Sequence, residues 1–161
     1  MTTSQINLPV LGGVRDATNP PGMTWVGARP CLLFDGTTDE LVTWSFRMPS
    51  DYASGLTVRW QYSMVSAATG VVRIGSQVMA ASDGDNIDTD SYDTQDSTAD
   101  VTVPGTAGIM DEISFALTSV DSLAAGDYIS VQLRRENTVS PGTNAAGDME
   151  VWAIALTYTT T

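Results

Sequence analysis

Four aspartates, Asp83, Asp85, Asp88 and Asp90, fall within eight residues around Gly84 and Asn86. Hard cations such as calcium take about six to eight oxygen ligands, and clustered carboxylates on a glycine turn can supply them. These four residues are therefore the candidate metal ligands, with calcium as the one cofactor the sequence leaves open. The spacing is not that of an EF-hand, because Thr94 stands where the twelfth-position glutamate belongs. A solvated acidic loop that keeps molecules apart by repulsion is the competing reading. Asp93, Asp96 and Asp100 extend the acidic stretch, which carries −7 of the formal −12 and leaves −5 for the rest (−12 + 7 = −5).

Catalytic chemistry has few other openings. The chain has no histidine, its seven basic residues are all arginines, and Cys31 is its single cysteine. Those absences remove the commonest general base, lysine Schiff bases, intrachain disulfides and multi-cysteine metal sites. A carboxylate pair for glycoside hydrolysis remains, from Asp111, Glu112, Glu136 and Glu150. Adjacent Asp111 and Glu112 point to opposite faces of a strand and cannot flank one sugar bond, so the expectation is a protein that is not an enzyme. Arg134 and Arg135 can clamp a carboxylate or phosphate, or pair with Glu136, Asp148 or Glu150. Arg135 is in phase with Ile129, Val131 and Leu133, which predicts a semi-buried, paired guanidinium. Trp25, Trp44, Trp60 and Trp152 can form a carbohydrate platform, but three of them share the period of apolar neighbours, which favours core or interface. Cys31, inside Cys31-Leu32-Leu33-Phe34, reads as a small buried hydrophobe.

Those side chains must be carried by strands. From Pro30 onward apolar residues alternate with polar ones: Val42 to Met48, Leu56 to Met64, Val72 to Val78, Ile113 to Leu117, Ile129 to Leu133 and Trp152 to Tyr158. Short runs at Cys31–Phe34 and Ala99–Val103 bring the expected number to about eight. Asp35-Gly36, Pro104-Gly105, Gly126-Asp127 and Pro141-Gly142 supply turns between them. No window has a helical period. The expected fold is all-β, a two-sheet antiparallel sandwich of jelly-roll type over residues 31–161. Residues 1–30 are rich in proline and glycine and form the expected extended N-terminal arm, packed on its own domain or on a neighbouring subunit. Ile6, Leu8, Val10, Leu11 and Trp25 are its candidate oligomer or particle contacts.

At 161 residues with 42% hydrophobic content, the chain is large enough for one well-buried domain. Its acidity disfavours nucleic acid as a partner, and no run approaches the ~20 apolar residues of a membrane span. Met1-Thr2-Thr3-Ser4-Gln5 has neither the basic nor the apolar region of a secretory leader, which sets an expectation of cytoplasmic synthesis.

The stretch Ser122 to Asn137, with its Ala124-Ala125-Gly126-Asp127 turn and arginine-ended strand, and the stretch Ala146 to Tyr158 after its Gly147-Asp148 loop resemble the last two strands of jelly-roll virion proteins of tailed bacteriophages. That resemblance implies a capsid decoration (cement) protein or a head or tail appendage, located in the virion. The apolar content of the arm and the low charged fraction lead to the expectation of a homotrimer, or at least a symmetric oligomer, and the resemblance adds the major capsid protein or another virion protein as its partner. The alternative is a tail-fibre or receptor- or carbohydrate-binding tip domain. A free carbohydrate-binding module or sandwich hydrolase domain is a further possibility.

Overall fold

The computed structural model describes residues 2–67, 69–139 and 142–161. Its strands are β1 (Thr3–Leu8), β2 (Val14–Arg15), β3 (Gly22–Val26), β4 (Arg29–Phe34), β5 (Glu40–Arg47), β6 (Tyr52–Met64), β7 (Val71–Ala81), β8 (Asp96–Ser97), β9 (Val101–Thr102), β10 (Asp111–Leu117), β11 (Tyr128–Glu136) and β12 (Met149–Thr160). One turn of 3-10 helix, Val10–Gly12, is the only helical element among the described residues. Sheet A runs β10-β6-β12-β4-β3, with β1 also paired to β12; sheet B runs β2-β5-β11-β7-β8, with β9 paired to β7. All the pairings between these strands are antiparallel. The two sheets pack face to face as the expected jelly-roll sandwich.

Period-2 alternation explains the packing. Leu56, Val58, Trp60 and Tyr62 of β6 point inward beside Ile154, Leu156 and Tyr158 of β12, and Val42, Trp44, Ile129, Val131 and Leu133 face them from sheet B. Phe34 and Trp60 meet with ring centroids 5.2 Å apart at a tilt. Each such side chain, taken fully out of water, stabilises the fold by roughly 1.5–3 kcal/mol. Cys31 is fully buried, and burial raises its thiol pKa, with Glu150 adding to the shift.

All eight expected strands are present, and four short ones join them. Three of these come from the first thirty residues, which do not stand apart as an arm. β1 pairs with β12, the 3-10 turn crosses over, β2 joins sheet B beside β5, and β3 returns to sheet A beside β4. Backbone groups in an apolar segment need partners, and sheet edges provide them. The crossing is tight. Trp44 donates its indole N–H to the Pro9 carbonyl at 2.9 Å, and a Cβ on Gly13 would lie 2.5 Å from Val42. Of the arm's proposed contact residues, Leu8 is therefore spent in the core, and Ile6 and Val10 pack partly buried against it. Leu11 and Trp25 remain exposed.

Arg135 departs furthest from expectation. It is completely buried rather than semi-buried, and carbonyls rather than acids surround it. Nη1 donates to the carbonyls of Gly147 (2.8 Å) and Phe34 (3.2 Å); Nη2 donates to the Ala145 carbonyl (2.7 Å) and the Asn144 side chain (3.4 Å). Burial lowers its pKa, while Asp148, Asp35 and Glu40 act in the opposite direction from a distance. Arg134 likewise bonds to amides, Gln77 and Gln132, instead of to an acid. Arg135→Ala leaves the buried carbonyls of Phe34 and Ala145 without these donors, and at about 1–3 kcal/mol for each unsatisfied group chemical denaturation should show a loss of about 2–6 kcal/mol. A loss under about 1 kcal/mol would mean that those carbonyls find other partners.

Candidate functional site

The outward residues of sheet A build a trough. On β6 these are Thr57, Arg59 and Gln61, and the strands on either side set what lies next to them. Gln61 stands opposite Glu112 of β10 and Ala153 of β12, and Arg59 stands opposite Ser114 and Ala155. Beyond β12, Asn7 of β1 lies opposite Ala155, and Gln5 opposite Thr157. Two alanines thus form a low floor between polar walls, leaving a hollow of about 290 Å³ lined by Gln5, Asn7, Arg59, Gln61, Glu112 and Ala153. Arg59 donates through Nε to Glu112 Oε1 at 3.0 Å and also through Nη2, while Gln61 donates to Glu112 Oε2 at 3.2 Å. The Arg59 hydrogen bonds hold the Glu112 carboxyl below its ordinary pKa. Gln5 and Asn7 bond to each other on the facing wall.

An aromatic cleft adjoins this trough. The register of β12 against β6 shifts between Val151 and Ala153, a β-bulge that leaves Val151 fully buried and turns Trp152 to the outer face. Trp152 donates its indole N–H to Ser63 Oγ at 2.9 Å, and Ser63 donates to Glu150 Oε2 at 2.6 Å. The Arg29 guanidinium lies 6.0 Å from the Trp152 ring centre, at the edge of cation–π range. Val26, Arg29, Ser63, Met110, Glu150 and Trp152 line a cleft of about 200 Å³. Ser63 sits two residues along β6 from Gln61 on the same face, so cleft and trough are about 7 Å apart along the strand.

The four candidate metal ligands do not converge. Asp83, Asp85 and Asp88 are exposed and Asp90 is half-buried. Asp85 accepts from the Ser82 backbone and Asp90 from that of Ser91, each serving its own turn. Among the described residues, no group of three or more histidines, cysteines or acids could hold a metal ion. The second half of the acidic stretch acts as a set of tethers. Asp93 accepts from the backbone of Asp121, Asp96 from the backbone of Thr118 and Ser119 and from the Thr118 hydroxyl, and Asp100 from Gly142 while pairing with Arg73 at 2.8 Å.

The other candidates lie apart. Asp111 accepts from the Tyr62 hydroxyl. Glu136, on sheet B, accepts from Gln95 and Ser97. Trp44 and Trp60 belong to the core, whereas Trp25 and Trp152 reach the surface. Gln5, Asn7, Arg59 and Gln61 were not singled out by sequence. The contrast of large polar groups on one strand with Ala153 and Ala155 on another was visible, but not that the two strands are neighbours.

No family model matches the sequence, and no curated protein does. Similarity appears among solved structures. A family 35 carbohydrate-binding module from Clostridium thermocellum superposes with a TM-score of 0.55 at 10% identity, over 95% of this chain and 97% of that one. The CBM22-1 xylan-binding domain from Paenibacillus barcinonensis Xyn10C gives 0.51 at 11% identity, over 92% and 86%. The C-terminal CBM6 of the laminarinase LamC from Zobellia galactanivorans gives 0.50 at 13% identity, over 97% and 99%. The chain therefore has the β-sandwich jelly-roll fold that these modules have.

Asp96 supplies a pH test. Its carboxyl is pushed up by burial, but bonds from Thr118 and Ser119 outweigh this and lower its pKa overall. A depressed folded pKa stabilises above the unfolded value of about 3.9 and is lost as pH falls through the folded one. Asp96→Asn should lower the melting temperature at neutral pH and flatten the loss of stability below about pH 4. An unchanged acid limb in melts across that range would contradict the tether.

Proposed function

We propose that this chain is a non-catalytic glycan-binding domain that takes a carbohydrate chain across the outer face of sheet A. The observation that carries this reading is the trough itself: amide, guanidinium and carboxylate groups stand around an alanine floor, beside a tryptophan turned outward by a bulge. Sugar hydroxyls both donate and accept. Arg59, Gln61, Asn7 and Gln5 offer donors, and Glu112 with the amide carbonyls offers acceptors. Trp152 gives an apolar ring for a pyranose face at one end. The shared fold with carbohydrate-binding modules supports the same class of ligand.

Net charge narrows the ligand. A surface of −12 repels polyanions, so neutral polysaccharide segments fit better than sulfated or uronate-rich ones. The lining residues of the trough come from β1, β6, β10 and β12, so a ligand seated there would lie across several strands. The domain would then serve as an adhesive tip or a targeting module, the alternative that the phage resemblance also allows. Capsid decoration is supported by that resemblance alone. Three of the five contact residues it would use, Ile6, Leu8 and Val10, are engaged by the domain's own core.

Isothermal titration against soluble xylan, β-glucan and a panel of bacterial surface glycans tests the reading. A neutral glycan should bind in the micromolar to millimolar range, and Arg59→Ala or Trp152→Ala should each weaken it roughly tenfold, the effect of losing about 1.4 kcal/mol. Gln132→Ala, on the outer face of sheet B, should leave binding unchanged. Binding of no glycan, or binding that survives both Arg59→Ala and Trp152→Ala, would contradict the proposal.

A further inference from the structure

The edge strand β3 carries a second surface feature. It ends sheet A and pairs only with β4 on the described path. The strands at the other path ends carry charge: Asp111 and Glu112 on β10, Arg15 on β2 and Asp96 on β8. Charged side chains are the usual guard against edge-to-edge pairing. β3 has none, and the whole segment 17–28 is free of charged residues in a chain of net charge −12. The lateral strand β1 is uncharged as well, but its exposed side chains, Thr3, Gln5 and Asn7, are polar. On β3 the exposed side chains are Met23 (53%) and Trp25 (67%). They share the face of Leu32 and Pro30, their partners on β4, beyond the point where sheet B covers it.

The register of β3 is self-complementary. A two-residue turn, with Gly27 at φ 63°, joins Val26 to its partner Arg29. Such a tight hairpin makes Val26–Arg29 a hydrogen-bonded pair, and ladder alternation then turns the N–H and C=O groups of Gly22, Thr24 and Val26 toward β4. Those of Met23 and Trp25 point to the free side. Two copies of β3 running antiparallel about Thr24 place Met23 opposite Trp25 and Trp25 opposite Met23, so both pairs exchange main-chain hydrogen bonds. Thioether and indole then meet on one face across the dyad, a favourable sulfur–aromatic contact. Pro21, unable to donate, ends the pairing on one side, and the Gly27-Ala28 turn ends it on the other.

We propose that β3 is a homodimer interface, in which a second copy of this chain extends sheet A through a two-fold axis at Thr24. A second copy is the occupant that this edge fits, because the same five residues supply both sides of every contact and carry no charge that would repel their equivalents. The symmetric oligomer expected from the sequence is then a dimer, and Trp25 is the contact residue in it. The inference stands independently of what the trough binds.

Sedimentation velocity from low to high micromolar concentration tests it, together with a cross-link. The wild type should dimerise, and Trp25→Lys or Met23→Lys should weaken the dimer at least tenfold while circular dichroism stays unchanged. Thr24→Cys should give a disulfide-linked dimer on mild oxidation, because a non-hydrogen-bonded pair brings Cα atoms to about 4.5 Å, within disulfide range. Native Cys31, fully buried, should give no cross-link in the wild type. A wild type that stays monomeric would assign the edge to some other extended chain and overturn the inference. So would a trimer, a dimer indifferent to both lysine substitutions, or a Thr24→Cys variant that does not cross-link.

Discussion

A guanidinium cut off from water needs oxygens for its N–H groups, and the place where Arg135 finds them fixes how the two sheets meet. It projects from β11, the middle strand of sheet B, and reaches the carbonyl at the end of β4 and two carbonyls in the approach to β12, both strands of sheet A. Gly36 has to be glycine for this, since a Cβ there would lie 2.8 Å from Arg135 Nη2. Leaving such a cation unpaired in the interior would cost several kcal/mol, so the carbonyls hold the segment 144–147 in one course. That course sets where β12 begins, with Met149 opposite Phe34 and Met64. The bulge follows two residues later and turns Trp152 outward against Ser63. The surface proposed to bind is in this sense positioned from the core.

The acidic stretch shows one residue type used in two ways. From Asp83 to Asp88 the carboxylates stand in water, where mutual repulsion is screened. Asp93, Asp96 and Asp100 instead accept backbone N–H bonds from the 118–121 segment and from Gly142, joining loops distant in sequence. Asp121 and Ser122 both take positive φ at this junction, and the Asp121 carboxylate in turn accepts from the Ala80 N–H. Strain of that kind persists where surrounding bonds over-determine the backbone. Of the seven aspartates, Asp85, Asp90, Asp93, Asp96 and Asp100 accept hydrogen bonds from backbone N–H groups in and between the loops, whereas Asp83 and Asp88 stand exposed.

The long strands were legible because burial of one face imposes period 2, and β5, β6, β7, β10, β11 and β12 all carry it. β1, β2, β3 and β8 were not, because two to six residues among prolines, glycines and aspartates hold too few alternations to register. Trp152 misled for a related reason. Its spacing to Ile154, Leu156 and Tyr158 is that of a core residue, and only the extra residue of the bulge moves it to the surface. Arg135 was placed inward by its phase, but its partners lie far away in sequence at Phe34 and nearby at Ala145 and Gly147, as main-chain atoms that no side-chain pattern marks. The trough escaped for the same kind of reason. Gln5, Asn7, Arg59 and Ala155 become one surface only once β1, β12 and β6 are known to lie side by side.

Fold and site together describe a sandwich with a polar trough on the outer face of sheet A and an uncharged, apolar edge at β3. The central claim is that the outer face of sheet A is the binding face, and a backbone amide NMR titration with the tightest-binding oligosaccharide tests it most directly. The account predicts the largest shifts at Gln61, Ala153, Ala155 and Asn7 and at the Trp152 indole, with little change in sheet B. Shifts confined to the loops around Asp85 and Asp121, with the Trp152 indole unmoved, would contradict it.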